Sequence, residues 1–404
     1  MKYIKYLLLL LLIFLIPIKV NALEINSKNA ILYNMNDDEI LFEKDSDEEV
    51  PIASLTKIMT SIVAIENIDD INETVTIPKE GLEGLVEANA SVAGFKLNEK
   101  VTYKDLLYGS LLPSGADATQ TLAYYIAGNI ENYVKLMNKK ANELNLKHTH
   151  FSDVTGLDDI NNYSSVKDIA TLLKYALKND TFREIFTATT YTTSNKRLKL
   201  ESTLLYYTNT YKLNNKYIYG SKTGFTDIAG LCLASIAKYD DMEYLLITTG
   251  APSETRYPYH FIDAFNIYDY YINNYYTIDI YNKEEPLISI NTNYSKEDKY
   301  NVFLDENITK FVNKDIKKDD FKFDYQGVNI VTPFTKKGEI GTMNITLNNE
   351  TIKTISIMYD GSLTLSISDL LLDNLIFIVI FIIIINIVII LLTKKKRKKK
   401  HRKQ

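Results

Sequence analysis

Two side chains that together can perform acyl transfer stand three positions apart in PIASLTKIMTSIVAI, residues 51–65: the hydroxyl of Ser54 and the amine of Lys57. In a helix opening near Ser54, positions i and i+3 share a face, so the amine comes back beside the hydroxyl. A serine hydroxyl needs a neighbouring base to become a nucleophile. A lysine can be that base only where burial or a second cation holds it neutral. Unpaired N–H groups at the helix start can also face a developing oxyanion. The spacing alone is not diagnostic, because Ser164/Lys167 and Ser235/Lys238 repeat it. Ser54 is set apart by two later stretches. LLPSGADA, 111–118, puts Ser114 on a Pro/Gly-constrained loop between two helices, a geometry that can hold a hydroxyl over a cleft. In GSKTGFTD, 220–227, Lys222 supplies positive charge, Thr223 a hydroxyl, and Gly224 lets a ligand backbone approach a strand edge.

The elements that must position these residues are readable from pattern. AILYNM and EILF, split by Asn36-Asp37-Asp38, predict a hairpin ahead of the helix at Ser54. After a mixed segment with turns at Gly81, Gly84 and Gly94, a helix over Tyr103–Ser110 is broken at Pro113 and resumes over Asp117–Gly128. Further helices are expected over Asn132–Leu146 and, behind a serine cap, Ser165–Asn179. An apolar strand runs up to Gly220, the chain turns at Asp227, and strands follow from Leu231 and over Glu243–Gly250, with a closing helix over His260–Tyr271. From about Thr277 to Ser368 the pattern becomes short alternating β runs, a small β domain with the character of a spacer. His148, His150 and Asp153 invite a metal reading, but two histidines two apart in a loop lack helical spacing and a third ligand, so no metal and no cofactor is expected. Cys232, the single cysteine, excludes an internal disulfide and reads as a buried thiol within LCLASIA.

The N-terminus carries Lys2 and Lys5, an apolar run over Tyr6–Ile18 and the small-residue site Val20-Asn21-Ala22, which predicts a signal peptide over 1–22. A second apolar run, Leu375–Leu392, is followed by KKKRKKKHRK. At about 1.5 Å per residue this run approaches the thickness of the hydrocarbon core. It predicts a single membrane span with a basic cytoplasmic tail, 393–404, and the rest of the chain outside. The chain thus divides into 1–22, a first domain over 23–275, a β-rich domain over 276–368, the span and the tail. Of the 46 Lys+Arg residues, three precede the cleavage site and nine follow the span, leaving 34 against 51 Asp+Glu, a net of −17 outside. So acidic an exterior excludes docking of anionic polymers, and a basic tail abutting an apolar span does not read as a nucleic-acid site.

Ser54-Leu55-Thr56-Lys57, Ser114-Gly115-Ala116 and Lys222-Thr223-Gly224, in this order, resemble the three motifs of penicillin-binding proteins and β-lactamases. With AILYNM, MNKKANELNLKHTHFSDVTGLDD and GSKTGFTDIAG, the chain is similar to low-molecular-mass penicillin-binding proteins, the serine D-alanyl-D-alanine carboxypeptidases of peptidase family S11. The resemblance implies an α/β fold: a mainly antiparallel sheet flanked by helices, then a C-terminal β domain and a transmembrane helix. It implies peptidoglycan stem peptides as substrate and β-lactam antibiotics as ligands. It makes Ser54 the nucleophile, Lys57 the general base and Ser114 a proton relay. Lys222 would help keep Lys57 neutral by repulsion, and Thr223 would hold the terminal carboxylate. The oxyanion would lie between the N–H groups of Ser54 and Phe225, and Arg256 stands near where the family often has a carboxylate-binding arginine. One departure is plain: the second motif normally ends in Asn, and here that position is Ala116. A β-lactamase is the nearest enzymatic alternative, but the chain lacks an evident Glu-x-x-Leu-Asn segment. A catalytically weak wall-binding protein is the alternative that Ala116 suggests.

Overall fold

A computed structural model of the chain describes residues 23–255 and 257–401. The expected signal peptide, 1–22, and Arg256 lie outside the described residues. The chain divides into two compact units after Ile272.

The first unit is built on a five-stranded sheet. Strands β1 (Asn29–Asn34) and β2 (Glu39–Lys44) form the expected hairpin, and β3 (Ile218–Thr226), β4 (Gly230–Tyr239) and β5 (Met242–Ala251) complete the order β2-β1-β5-β4-β3. Every pairing is antiparallel. Alternation sends Ile31, Ala234, Ile236, Leu245 and Ile247 into one core with the helices. On the other face Ser235 and Tyr244 meet Tyr268 of the closing helix, Tyr259–Asn274. Strand β3 runs further than its apolar start suggests. Lys222, Thr223 and Gly224 pair with Ala234, Leu233 and Cys232, so the KTG residues lie within a sheet-edge strand rather than beyond its end.

Helix α1 (Thr56–Asn67) begins two residues after Ser54, behind a 3₁₀ turn over Ala53–Leu55. It is buried from Thr56 to Ala64, with Lys57, Thr60 and Ser61 among the buried side chains. Full burial of side chains such as Ile58, Met59 and Ile62 stabilises by about 1.5 to 3 kcal/mol each. Its polar groups are satisfied inside: Thr60 donates to the Val154 carbonyl at 2.9 Å, and Ser61 meets Ser110 at 3.0 Å. Helix α2 (Tyr103–Leu111) opens on a Thr102/Asp105 capping box, and α3 (Ala116–Ala127) follows the Pro113 break. The helix expected over Asn132–Leu146 runs over Ile130–Glu143 behind an Asn129 cap, Ser165 caps the following one, which ends at Ala176, and Asp180–Thr187 is a separate helix capped by Asn179.

The second unit is β-rich. Its strands include the antiparallel sheet of Phe321–Gly327, Gly338–Leu347 and Glu350–Tyr359 around a core containing Ile290, Ile330, Ile345 and Ile357. Helix Leu375–His401 ends the described chain, and within it Leu375–Lys395 is long and apolar enough to cross a membrane.

Candidate active site

The turn that carries Ser54 is held by two close approaches. Ala53 has φ 47°, in the left-handed region that non-glycine residues rarely enter. A Cβ on Gly156, whose own φ is 79°, would stand 2.0 Å from the Ala53 carbonyl oxygen. A Cβ on Gly224 would stand 3.0 Å from both Ser54 N and Ala53 Cβ. Glycine at these two positions is what lets strand β3 and the 155–157 loop close on the nucleophile turn.

Lys57 Nζ donates to Ser54 Oγ at 3.0 Å and to the Thr155 carbonyl at 2.5 Å. Asp153 positions that carbonyl, since its carboxylate accepts from the N–H groups of Thr155, Gly156 and Leu157. Lys57 is 2 % exposed, and burial lowers its amine to about 8 against the opposing charges of Asp153 and Asp117. With the neutral amine giving one N–H to Thr155, its lone pair is free to take the Ser54 proton.

Ser114 also has left-handed backbone, φ 65°, just ahead of α3. Its hydroxyl accepts from Lys222 Nζ at 2.8 Å, and the same amine donates to the Thr223 carbonyl at 2.7 Å. Lys222 is fully buried, and its pKa is lowered far below the ordinary amine value by burial first and by the charge of Lys57 second. Burial is the first cause of the lowering at both amines, and repulsion between the two is mutual. The Ser114 hydroxyl meets Lys222 rather than the Ser54/Lys57 pair.

Ser54, Lys57 and Ser114 line a cavity of about 720 Å³ together with Thr223–Asp227, the loops 88–91 and 155–158, and Thr203, Tyr206 and Tyr207. Gly224 and Phe225 form its β3 wall, Phe225 being half exposed, and Ala116 lies at the cavity with 1 % exposure. Asp117 anchors the roof, accepting from the N–H groups of Ala93, Gly94 and Phe95 at 2.8, 2.8 and 2.9 Å. The sequence reading places Asp117 only at a helix start and Asp153 only beside the two histidines, so the positioning roles of Asp117, Asp153 and the Thr155 carbonyl are absent from it, as is the helix Thr203–Tyr211. Only the Ser202 cap, accepting from Leu205 N, offered a local signal for that helix. His148 meets Glu49 at 3.3 Å and His150 the Asn161 carbonyl at 2.7 Å. Among the described residues no group of His, Cys, Asp and Glu could hold a metal ion.

The arrangement is suited to acyl transfer: a hydroxyl with a buried amine base, a second amine–hydroxyl pair opposite, and a free strand edge along which a peptide can lie. Residues 17–253 match the family described as D-alanyl-D-alanine carboxypeptidase, Peptidase_S11. The chain is 29% identical over 333 residues to the D-alanyl-D-alanine carboxypeptidase DacF of Bacillus subtilis, covering 81% of this chain and 83% of that one. It is 33% identical over 243 residues to DacC of Escherichia coli, covering 58% and 59%. Penicillin binding protein 5 from Haemophilus influenzae superposes with TM-score 0.63 at 25% identity, over 83% of this chain and 97% of its own. A single-site mutant of the Streptomyces K15 DD-transpeptidase superposes with TM-score 0.55 at 28% identity, over 61% and 98%. The match over more than half the chain, on a fold that carries all three motifs into one cavity, places this protein in the D-alanyl-D-alanine carboxypeptidase family, peptidase S11.

Proposed function

We propose that Ser54 attacks the carbonyl between the two D-alanines of a peptidoglycan stem peptide, releasing the terminal D-alanine and forming an acyl-enzyme that water then hydrolyses. The observation that carries this reading is the 3.0 Å contact between Ser54 Oγ and a buried Lys57 amine whose hydrogen bonds go to a hydroxyl and a carbonyl, not to a carboxylate. Lys57 takes the Ser54 proton on attack. Ser114, held by Lys222, hands its hydroxyl proton to the leaving amine and recovers one from the Lys57 ammonium, which so returns the proton taken from Ser54. The oxyanion sits between the N–H groups of Ser54 and Phe225, and Thr223 receives the terminal carboxylate with the family arginine's counterpart, Arg256. β-Lactams are taken as substrate mimics that acylate the same hydroxyl.

The helix over Leu375–Lys395 anchors the chain in the cell membrane as a single pass. The basic tail stays cytoplasmic and the peptidase unit lies outside, where its substrate is. The test is D-alanine release from an acyl-D-Ala-D-Ala peptide by the full-length protein in detergent. Release that Ser54→Ala abolishes supports the reading, and release that survives this change contradicts it.

A further inference from the structure

Asn386 stands within one helical turn of the middle of the apolar run Leu375–Leu392 and is the only polar residue in it. Its amide carries two N–H donors and a carbonyl oxygen with two lone pairs. One N–H donates to the Ile382 carbonyl of the same helix at 2.9 Å. The second N–H and the amide oxygen meet no partner among the described residues, and no residue of the apolar window is buried by the rest of the described chain. Hydrocarbon offers no water to replace the missing contacts, so such a group is satisfied by protein or carries a cost. Residues three, four and seven positions away share its face of the helix. Val379, Ile382, Asn386, Ile389 and Thr393 keep the alternating spacing of a coiled-coil seam. The aliphatic ones are β-branched and held to one main rotamer in a helix, so packing them costs little side-chain entropy. Apolar pattern alone selects no face here, because the rest of the span is equally apolar and lipid is as apolar as both. The amide is what sets one face apart.

We infer that this span pairs in parallel with the span of a second copy of the chain, and that Asn386 sets the pairing. The inference rests on the single-pass membrane reading above. Two copies inserted with their basic tails on the same side carry Asn386 at the same depth. The open N–H of each amide then reaches the amide oxygen of the other, so every group left over within one helix is answered by the pair. An amide is its own complement, and a second copy supplies it at the required depth by construction. A single polar seam position of this kind also fixes the register of two helices. The basic tails repel one another, but charges further apart than about 8 Å are largely screened at physiological ionic strength.

The test uses the full-length protein in vesicles of phosphatidylcholine and phosphatidylglycerol at high lipid excess. Cys232 is buried, so the unaltered chain serves as the blank for oxidative cross-linking. Ile382→Cys and Ile389→Cys, on the Asn386 face, should give a disulfide-linked dimer, whereas Ile384→Cys and Val388→Cys, on the opposite face, should not. The dimer dissociation constant is read separately, from energy transfer between fluorescently labelled copies as lipid is added. Asn386→Leu should raise it about three- to thirtyfold, the worth of a polar contact between spanning helices, and Asn386→Gln should keep it near the wild-type value. Cross-linking that is equal on the two faces, or a dissociation constant that Asn386→Leu leaves unchanged, overturns the inference. Protein that stays in the vesicles without forming a dimer overturns it too, and leaves Asn386 to a different membrane protein. Protein that high salt washes off the vesicles overturns the membrane reading, and the inference with it.

Discussion

In the proposed reaction Lys57 sets the pH dependence of the site. Burial brings its amine to about 8, so at pH 7 about a tenth of the molecules hold it neutral and able to accept the Ser54 proton. The sign follows directly: deprotonation activates, so kcat/KM for D-alanine release should climb with pH and level off above about 8. A profile flat from pH 6 to 9 would contradict Lys57 as the base. Lys57→Ala should slow acylation by about 10²- to 10⁴-fold, the usual worth of a general base. Ala116 is the family departure whose cost can be bounded. An Asn amide making one more hydrogen bond to substrate is worth about 1 to 3 kcal/mol, or roughly ten- to a hundredfold in rate. Ala116→Asn should therefore raise D-alanine release or leave it unchanged, and a wild type that gains acylation only with this change would favour the weak wall-binding reading. The residues that the fold brings together, Ser54 with Lys57 and Ser114 with Lys222, stand out in the sequence because acyl transfer calls for their types. Asp117, Asp153 and the Thr155 carbonyl do not, because their work is done through backbone groups. The carbonyl that holds Lys57 comes from 98 positions along the chain, beyond the reach of local spacing.

Between the motifs, the elements act as clamps. The hairpin, α1 and the break at Pro113 followed from periodicity and turn residues, whereas Thr203–Tyr211 did not. In TLLYYTNTY the apolar residues are contiguous rather than spaced by 3.6, and its cavity-facing role exists only once β3 is in place. The extent of β3 was hidden for a related reason: SKTG is polar and reads as a loop, yet an edge strand with one side on a ligand cleft needs no apolar alternation. The clamp predicts a graded lesion. Gly156→Ala puts a Cβ against the Ala53 carbonyl in a left-handed conformation. It should cost about 2 to 3 kcal/mol, lower Tm by roughly 5 to 10 °C, and slow β-lactam acylation in the surviving folded protein. Unchanged Tm and acylation rate, by calorimetry and stopped-flow, would show that the turn is not held there.

At the scale of the whole molecule, Leu375–Lys395 is long and apolar enough to cross a membrane, and the proposed orientation puts the acidic part of the chain outside and the basic tail inside. External protease on intact protoplasts should digest the chain between Leu23 and Asp373 and spare the tail, and protection of the KTG segment would reverse the orientation. All of this depends on one serine being the acylated atom among three copies of the same tetrapeptide spacing. Full-length protein treated with a fluorescent penicillin, then digested and mapped by mass spectrometry, should carry the label on the peptide containing Ser54, and Ser54→Ala should carry none. Label that persists in Ser54→Ala, or that maps to Ser114, Ser164 or Ser235, would contradict the account.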